Sequence, residues 1–205
     1  MPILLKKCPN CRSKNGVKIV YGKPTPQLVA LSEKKKVYIG DCTPQLTDPQ
    51  YHCYSCQHQW TKEEAIEAAY KEIQHITFSI GGYFQGEVNY KIDFETGQIL
   101  KRVGQTNEET STSFQIAIER QRLIRTNLLD WKAQYVQKEI MDGEQWSIEI
   151  VTQSSTTKKY GSNQYPRDWG LFCYFIDQLM NEQQFKSRYN VEKAKFELNF
   201  RIPKL

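Results

Sequence analysis

Two short segments carry the residues best able to do chemistry. Residues 8–11 read CPNC and residues 53–56 read CYSC, each setting two cysteines three positions apart. A turn of that length can bring two thiolates onto one metal ion, and two such turns complete the four-sulfur tetrahedron of a structural Zn²⁺ site. Cys8, Cys11, Cys53 and Cys56 are therefore the expected ligands of a single structural zinc. Four thiolates close the coordination sphere and leave no position for water or substrate, so a catalytic metal is not expected. Free thiols, a redox pair and another metal are the competing readings of the same residues. Nearby, only Cys42 and His58 could substitute as ligands. His58 is expected to pack or hydrogen-bond beside the second turn, and Trp60 to anchor the core beneath it.

The order Cys-Pro-x-Cys, then Cys-x-x-Cys-x-His-x-Trp, resembles the zinc-ribbon family. It resembles more closely a bacterial, rubredoxin-like subgroup of unassigned function. In that subgroup CPxC is followed by a strand ending YGxPTP, a strand ending Gly-x-Cys, and CxxCxHxW. Here those segments are CPNC, VYGKPTP, IGDC and CYSCQHQW, within residues 8–60. The resemblance implies a rubredoxin-like zinc fold with a helical insertion between the knuckles, and it implies no activity. Two features depart from ribbons in general. Glycine often follows the second cysteine of each knuckle, where a positive φ is useful, but Arg12 and Gln57 stand there. Forty-one residues separate the pairs, against about 15–20 in common ribbons.

The rest of the composition sets the class of protein. No run approaches the ~20 apolar residues of a membrane span. The start, MPILLKKCPNC, has too short an apolar run for a secretion signal, with its lysines on the wrong side. A soluble, cytoplasmic protein is expected, and in a reducing compartment paired CxxC reads as metal rather than disulfide. Charge is unevenly spread. Residues 1–60 hold nine Lys/Arg against three Asp/Glu, while residues 61–205 hold nineteen against twenty. Lys6, Lys7, Arg12, Lys14, Lys18, Lys34, Lys35 and Lys36 are thus candidate nucleic-acid contacts, since phosphates demand such cations. Lys23 belongs to the same basic segment. Tyr21, Tyr38, Tyr51 and Tyr54 are the candidate stacking groups. Lysines that merely keep a small module soluble account for the same pattern.

Elements must hold the two knuckles in place. VKIVYG (17–22) and VYIGDC (37–42) read as strands. Between them, Thr25 can cap and Pro26 can open a short helix. Thr61 and Glu64 form a capping box ahead of a helix over 61–76, with Ala65, Ile66, Ala69, Tyr70 and Ile73 on its apolar face. The expected division is a zinc ribbon over 1–60, a connecting helix over 61–76, and an α+β domain with an antiparallel sheet over 77–205. Within the last, ITFSI, EVNYKIDF and GQILKRV read as a meander, with Gly81-Gly82-Tyr83-Phe84 as a bulge or turn. Residues 105–113 read as loop, and 114–124 as a helix through Phe114, Ile118 and Leu123. WKAQYVQKEI and EQWSIEIVT read as a hairpin about Asp142-Gly143. STTKKYG reads as a strand, Pro166 as opening a helix, and 191–202 as a last strand.

Residues 61–205 contain no GxSxG, HExxH, phosphate-loop or dinucleotide pattern. His75 reads as structural and Cys173, in LFCYFI, as a small buried residue. Asp142 is explained by a turn and Asp168 by a helix start, while Asp130 and Glu144 read as solvated. The stretch DGEQWSIEI with GSNQYPRDW, within 128–181, resembles a recurrent bacterial α+β domain of unassigned function. Trp131, Tyr135, Trp146, Tyr165 and Trp169 are expected to form a packed core, with an aromatic pocket as the alternative. The expectation is a non-enzymatic zinc protein that binds nucleic acid through the ribbon. The alternative is a protein–protein adaptor, in a stress, phage or defence setting, with purely structural zinc.

Overall fold

The structure, a computed structural model, describes residues 4–82, 86–104, 109–137 and 143–200. Tyr83, Phe84 and Asp142, invoked above for turns, lie outside the described residues. The chain is α+β and divides into two compact units, Ile3–Ala69 and Tyr70–Leu205.

The first unit is a four-stranded sheet. Its strands are β1 (Gly16–Val20), β2 (Val37–Ile39), β3 (Tyr51–Cys53) and β4 (Gln59–Trp60), in the order β2-β1-β3-β4. β1 and β2 run parallel, joined by the helix α1 (Pro26–Glu33), and the other pairs are antiparallel. Thr25 caps α1, its hydroxyl accepting from the Leu28 N–H at 3.3 Å, with Pro26 behind it. The second helix, α2 (Lys62–Lys71), opens with the capping box. The Thr61 N–H donates to the Glu64 carboxylate at 2.7 Å, and the Glu64 N–H donates to Thr61 Oγ1 at 3.2 Å. α2 ends at Lys71, earlier than expected, because Ile73 already belongs to a strand. The division between the units falls within α2.

The second unit is a seven-stranded sheet. In chain order it contains β5 (Ile73–Gly82), β6 (Gly86–Asp93), β7 (Gln98–Val103), β8 (Glu109–Ser113), β9 (Gln134–Val136), β10 (Gln145–Thr152) and β11 (Thr156–Ser162). Their spatial order is β8-β7-β6-β5-β10-β11-β9. Strict alternation builds the core. Ile76, Phe78 and Ile80 are buried on one face beside Tyr90 and Ile92 of β6 and Trp146, Ile148 and Ile150 of β10. The helices are α3 (Ile116–Arg125), α4 (Trp169–Met180) and α5 (Val191–Phe200). α4 is apolar nearly all round and buried except at Gly170 and Gln178, as a helix packed into a core must be. Phe78 stacks on Tyr90 at 5.6 Å and meets Trp169 and Phe172 of α4 edge-on at 5.8 and 5.2 Å.

Several expectations are corrected. Residues 109–113, read as loop, are the edge strand β8; an edge strand with exposed side chains needs no apolar alternation. β9 does not pair with β10 as a hairpin; it pairs parallel with β11. Pro166 stands three residues before α4, its carbonyl accepting from the Trp169 N–H. In α3 the buried side chains are Glu119 and Leu123, at helical spacing of four, while Ile118 is exposed. Residues 191–200 are helix, not strand. The alternation Ala194, Phe196, Leu198 misleads because Phe196 is 64% exposed, and the real buried pair is Ala194 with Leu198. Asn190 caps that helix, its Oδ1 accepting from the Lys193 N–H at 2.9 Å.

Candidate metal centre and basic surface

The fold brings the two knuckles together. The sulfurs of Cys8, Cys11, Cys53 and Cys56 all lie within 4.8 Å of one another. Two pairs bridge the knuckles, Cys8 to Cys56 at 3.7 Å and Cys11 to Cys53 at 3.6 Å. A tetrahedron with metal–sulfur bonds of about 2.3 Å has edges of ~3.8 Å. A disulfide would need about 2.05 Å, and all four cysteines are free thiols. The sulfurs thus fit a single tetrahedral ion of the zinc type. Cys42 is exposed and stands outside this group.

Each knuckle is the same turn made twice. The Cys8 N–H donates to the Ser13 carbonyl at 2.9 Å, and the Cys53 N–H donates to the His58 carbonyl at 2.9 Å. The Arg12 N–H donates to the Cys8 carbonyl at 2.9 Å, and the Gln57 N–H to the Cys53 carbonyl at 2.8 Å. These bonds force the residue after the second cysteine into the left-handed region, with φ of 60° at Arg12 and 63° at Gln57. A residue with a Cβ pays about 1–2 kcal/mol there. The knuckle geometry therefore survives the absence of glycine. In each pair the first cysteine is buried and the second lies nearer the surface. Side chains tie one knuckle to the other: Ser13 and Ser55 hydroxyls meet at 3.0 Å, and Asn15 Nδ2 donates to Ser55 at 3.0 Å.

Beneath the knuckles sits Trp60, fully buried, its Nε1 donating to the Leu5 carbonyl at 3.0 Å. Tyr51 stacks on one side of it at 5.7 Å, and the His58 ring lies parallel to it at 6.1 Å. Gly16 is required here: a Cβ would fall 2.1 Å from the Lys6 carbonyl oxygen and 2.7 Å from the Trp60 ring. In the metal-free protein, burial pushes the Cys8 thiol up to about 12, while the His58 backbone N–H holds Cys56 down at about 7. Four thiolates this close repel one another, and a cation held among them would supply the compensating charge.

No family model and no curated protein sequence matches the chain. Lys6, Arg12, Lys14, Lys18, Lys34, Lys35 and Lys36 are exposed and Lys7 is half-buried. Among the described residues, no carboxylate lies within ion-pair distance of those seven exposed cations. The residue that sequence reasoning missed is His52. It is 2% exposed, its ring stacked on Tyr38 at 3.9 Å, and burial lowers its pKa. The signal was its place in β3, directly opposite the buried Val17 of β1.

In the second unit the five aromatic residues do meet. Trp146 lies 4.7 Å from Trp169, 6.2 Å from Trp131 and 5.9 Å from Tyr135, and Tyr165 lies 5.1 Å from Trp169. The three tryptophans are buried, and this is a packed core. Cys173 is fully buried, with its thiol pushed far up by desolvation. His75 faces Asp93 at 3.6 Å and Glu95 at 3.8 Å. Asp168 accepts from Asn127 Nδ2 at 2.8 Å. Glu144 is not a solvated carboxylate. It pairs with Arg188 and accepts from the Tyr165 hydroxyl at 2.7 Å. A buried lysine also went unforeseen: Lys159 donates to the Leu129 carbonyl at 3.2 Å and to that of Trp131, and desolvation pulls its pKa down to about 8. Among the described residues no helix is long and apolar enough to cross a membrane.

Proposed function

We propose that Cys8, Cys11, Cys53 and Cys56 hold one structural zinc, and that the unit so stabilised binds nucleic acid through its basic surface. On this reading the protein is a non-enzymatic binding protein. The carrying observation is the set of exposed cations, Lys6, Arg12, Lys14, Lys18 and Lys34–Lys36, that have no carboxylate partner among the described residues. A zinc bound by four thiolates contributes a net −2, and residues 1–60 still keep a positive balance of about +4. Unpaired surface cations are the groups that release counterions from a polyanion.

The test is fluorescence anisotropy of labelled DNA and RNA titrated with the full chain at two salt concentrations. Binding that weakens steeply with salt supports the reading, with each phosphate contact adding about −0.7 to −0.9 to the logarithmic slope. No binding at low salt overturns it. The insertion between the knuckles motivates the protein-partner reading, because Val29 and Leu31 are each 39% exposed and Leu46 is fully exposed. Salt-insensitive capture of a protein, lost on Leu31→Ser with Leu46→Ser, would favour that second reading.

A further inference from the structure

Four tyrosines of the first unit could stack a nucleobase, and the fold sorts them. Tyr51 is buried against Trp60. Tyr21 is half-buried, holds the Pro49 carbonyl with its hydroxyl at 2.7 Å, and crowds Gly40. Tyr38 and Tyr54 remain. They lie 6.4 Å apart at 63° to one another, both half-buried. His52 backs them from inside, stacked on Tyr38 at 3.9 Å and edge-on to Tyr54 at 5.0 Å. The Tyr54 hydroxyl donates to the Val37 carbonyl at 2.8 Å, which fixes its ring. These rings are held in place before any ligand arrives, which lowers the ordering cost of binding.

The lysine run is fixed beside them. Lys35, the residue just past the C-cap Lys34 of α1, takes a left-handed conformation, φ 54°. Its N–H donates to the Ser32 carbonyl at 2.8 Å, and the Lys36 N–H donates to the Leu31 carbonyl at 2.9 Å. That turn holds Lys34, Lys35 and Lys36 exposed just ahead of β2, and Lys35 Nζ lies 5.7 Å from the centre of the Tyr54 ring. A cation over an aromatic face is the arrangement that a base and its phosphate can replace in kind.

Resting on the nucleic-acid reading, we propose that Tyr38 and Tyr54, backed by His52, and the turn Lys34–Lys36 form a binding site for single-stranded nucleic acid. Bases stack on the tyrosines and phosphates lie along the lysines. Duplex is disfavoured on two grounds. A tyrosine face can take only an unstacked base, whereas a duplex offers base edges. Nor does α1 suit a major groove, since its sequence PQLVALSE carries one acid and no basic residue.

The experiment titrates the full chain, with its metal content measured, against a single-stranded oligonucleotide and a hairpin duplex of equal charge. Wild type is expected to bind the single strand at least about ten-fold more tightly. Tyr38→Leu and Tyr54→Leu are each expected to lose about 5- to 100-fold on the single strand and to leave duplex binding unchanged. Tyr54→Phe keeps the stacking face but loses the hydroxyl bond to Val37, and is expected to bind the single strand between wild type and Tyr54→Leu. Replacement of Lys34, Lys35 and Lys36 by Gln is expected to flatten the salt dependence on both ligands. Photocrosslinking of wild type to a 4-thiouridine strand, expected at Tyr38 or Tyr54, decides the matter should a leucine variant lose its metal. Leucine variants with metal intact and wild-type binding, or crosslinks elsewhere, overturn this site while leaving the nucleic-acid reading standing. Failure to bind either ligand overturns both.

Discussion

The N-terminal unit buries a small set of side chains beneath short strands: Trp60, Tyr51, His52, Val17, Ile19, Ala65 and two of its own cysteines. The C-terminal unit buries the inner faces of β5, β6 and β10 against a helix, α4, that is itself apolar nearly all round. One has a small core and places four sulfurs where an ion could hold its turns closed. The other has a full core, and its polar residues serve to satisfy that core. Arg120, for example, donates to the carbonyls of Tyr70, Ile73 and Phe94 and lies 4.8 Å over the Phe94 ring. Small domains often lean on metals because the buried fraction rises with size, and the two units of this chain differ in that respect: a small core beside four clustered sulfurs, and a large core without them.

Removing the ion should separate the two units most sharply. Structural zinc in small modules contributes on the order of 10–16 kcal/mol of apparent binding energy. Chelation is therefore expected to expose the amides of Gly16–Val20 and Tyr51–Cys53 to hydrogen exchange, while those of Ile73–Gly82 and Gln145–Thr152 stay protected. Equal loss of protection in both units would break the comparison.

Matched core deletions come next. Trp60→Ala and Phe172→Ala each remove a fully buried ring and should each cost about 3–5 kcal/mol. The first is expected to lower metal retention under chelator competition. The second should reduce the denaturation midpoint of the C-terminal unit with the metal still bound.

A gain of stability is expected where the knuckles strain. Arg12→Gly or Gln57→Gly relieves a left-handed non-glycine residue and should raise N-terminal stability by about 1 kcal/mol each, less the flexibility that glycine adds to the unfolded chain. Chelator competition would read this as slower metal loss, and unchanged rates would show that the turn stores no strain.

The smallest effect concerns pH. Asp177 is 1% exposed in α4, and desolvation raises its pKa despite hydrogen bonds from the Phe185 N–H and the Tyr189 hydroxyl. A raised folded-state pKa means that the folded protein holds its proton longer than the unfolded chain. The stability that this contributes is fully present below the unfolded pKa and is lost as pH rises through the folded one. Asp177→Asn should abolish that decline, and thermal melts of variant and wild type across the acid range would show it.

The cysteine turns, the Thr61–Glu64 capping box and the β5–β6–β7 meander were legible because each is a local pattern with a local cause. What stayed hidden depended on neighbours far away in sequence. β8 carries Glu109-Thr110-Ser111-Thr112-Ser113, whose polarity reflects its edge position. β9 is a strand because β11 lies alongside it. α5 mimics a strand because Phe196, alternating with buried Ala194 and Leu198, points to solvent. Lys159 sits at a position that alternation along β11 marks as inward, whereas His52 stands in a strand buried on both faces; the polarity of both argues for the surface, and only their partners explain the burial. Arg12 and Gln57 carried the opposite lesson: the residue type argued against the turn, and hydrogen bonding imposed it.

The central claim is that the four sulfurs surround one zinc ion. X-ray absorption at the zinc edge on the purified full chain tests it most directly, alongside metal analysis of Cys8→Ser and Cys56→Ser. The account predicts one zinc per chain with four sulfur neighbours at about 2.3 Å, lost in both variants. A stable N-terminal unit without metal, or a shell in which nitrogen or oxygen replaces sulfur, would contradict it.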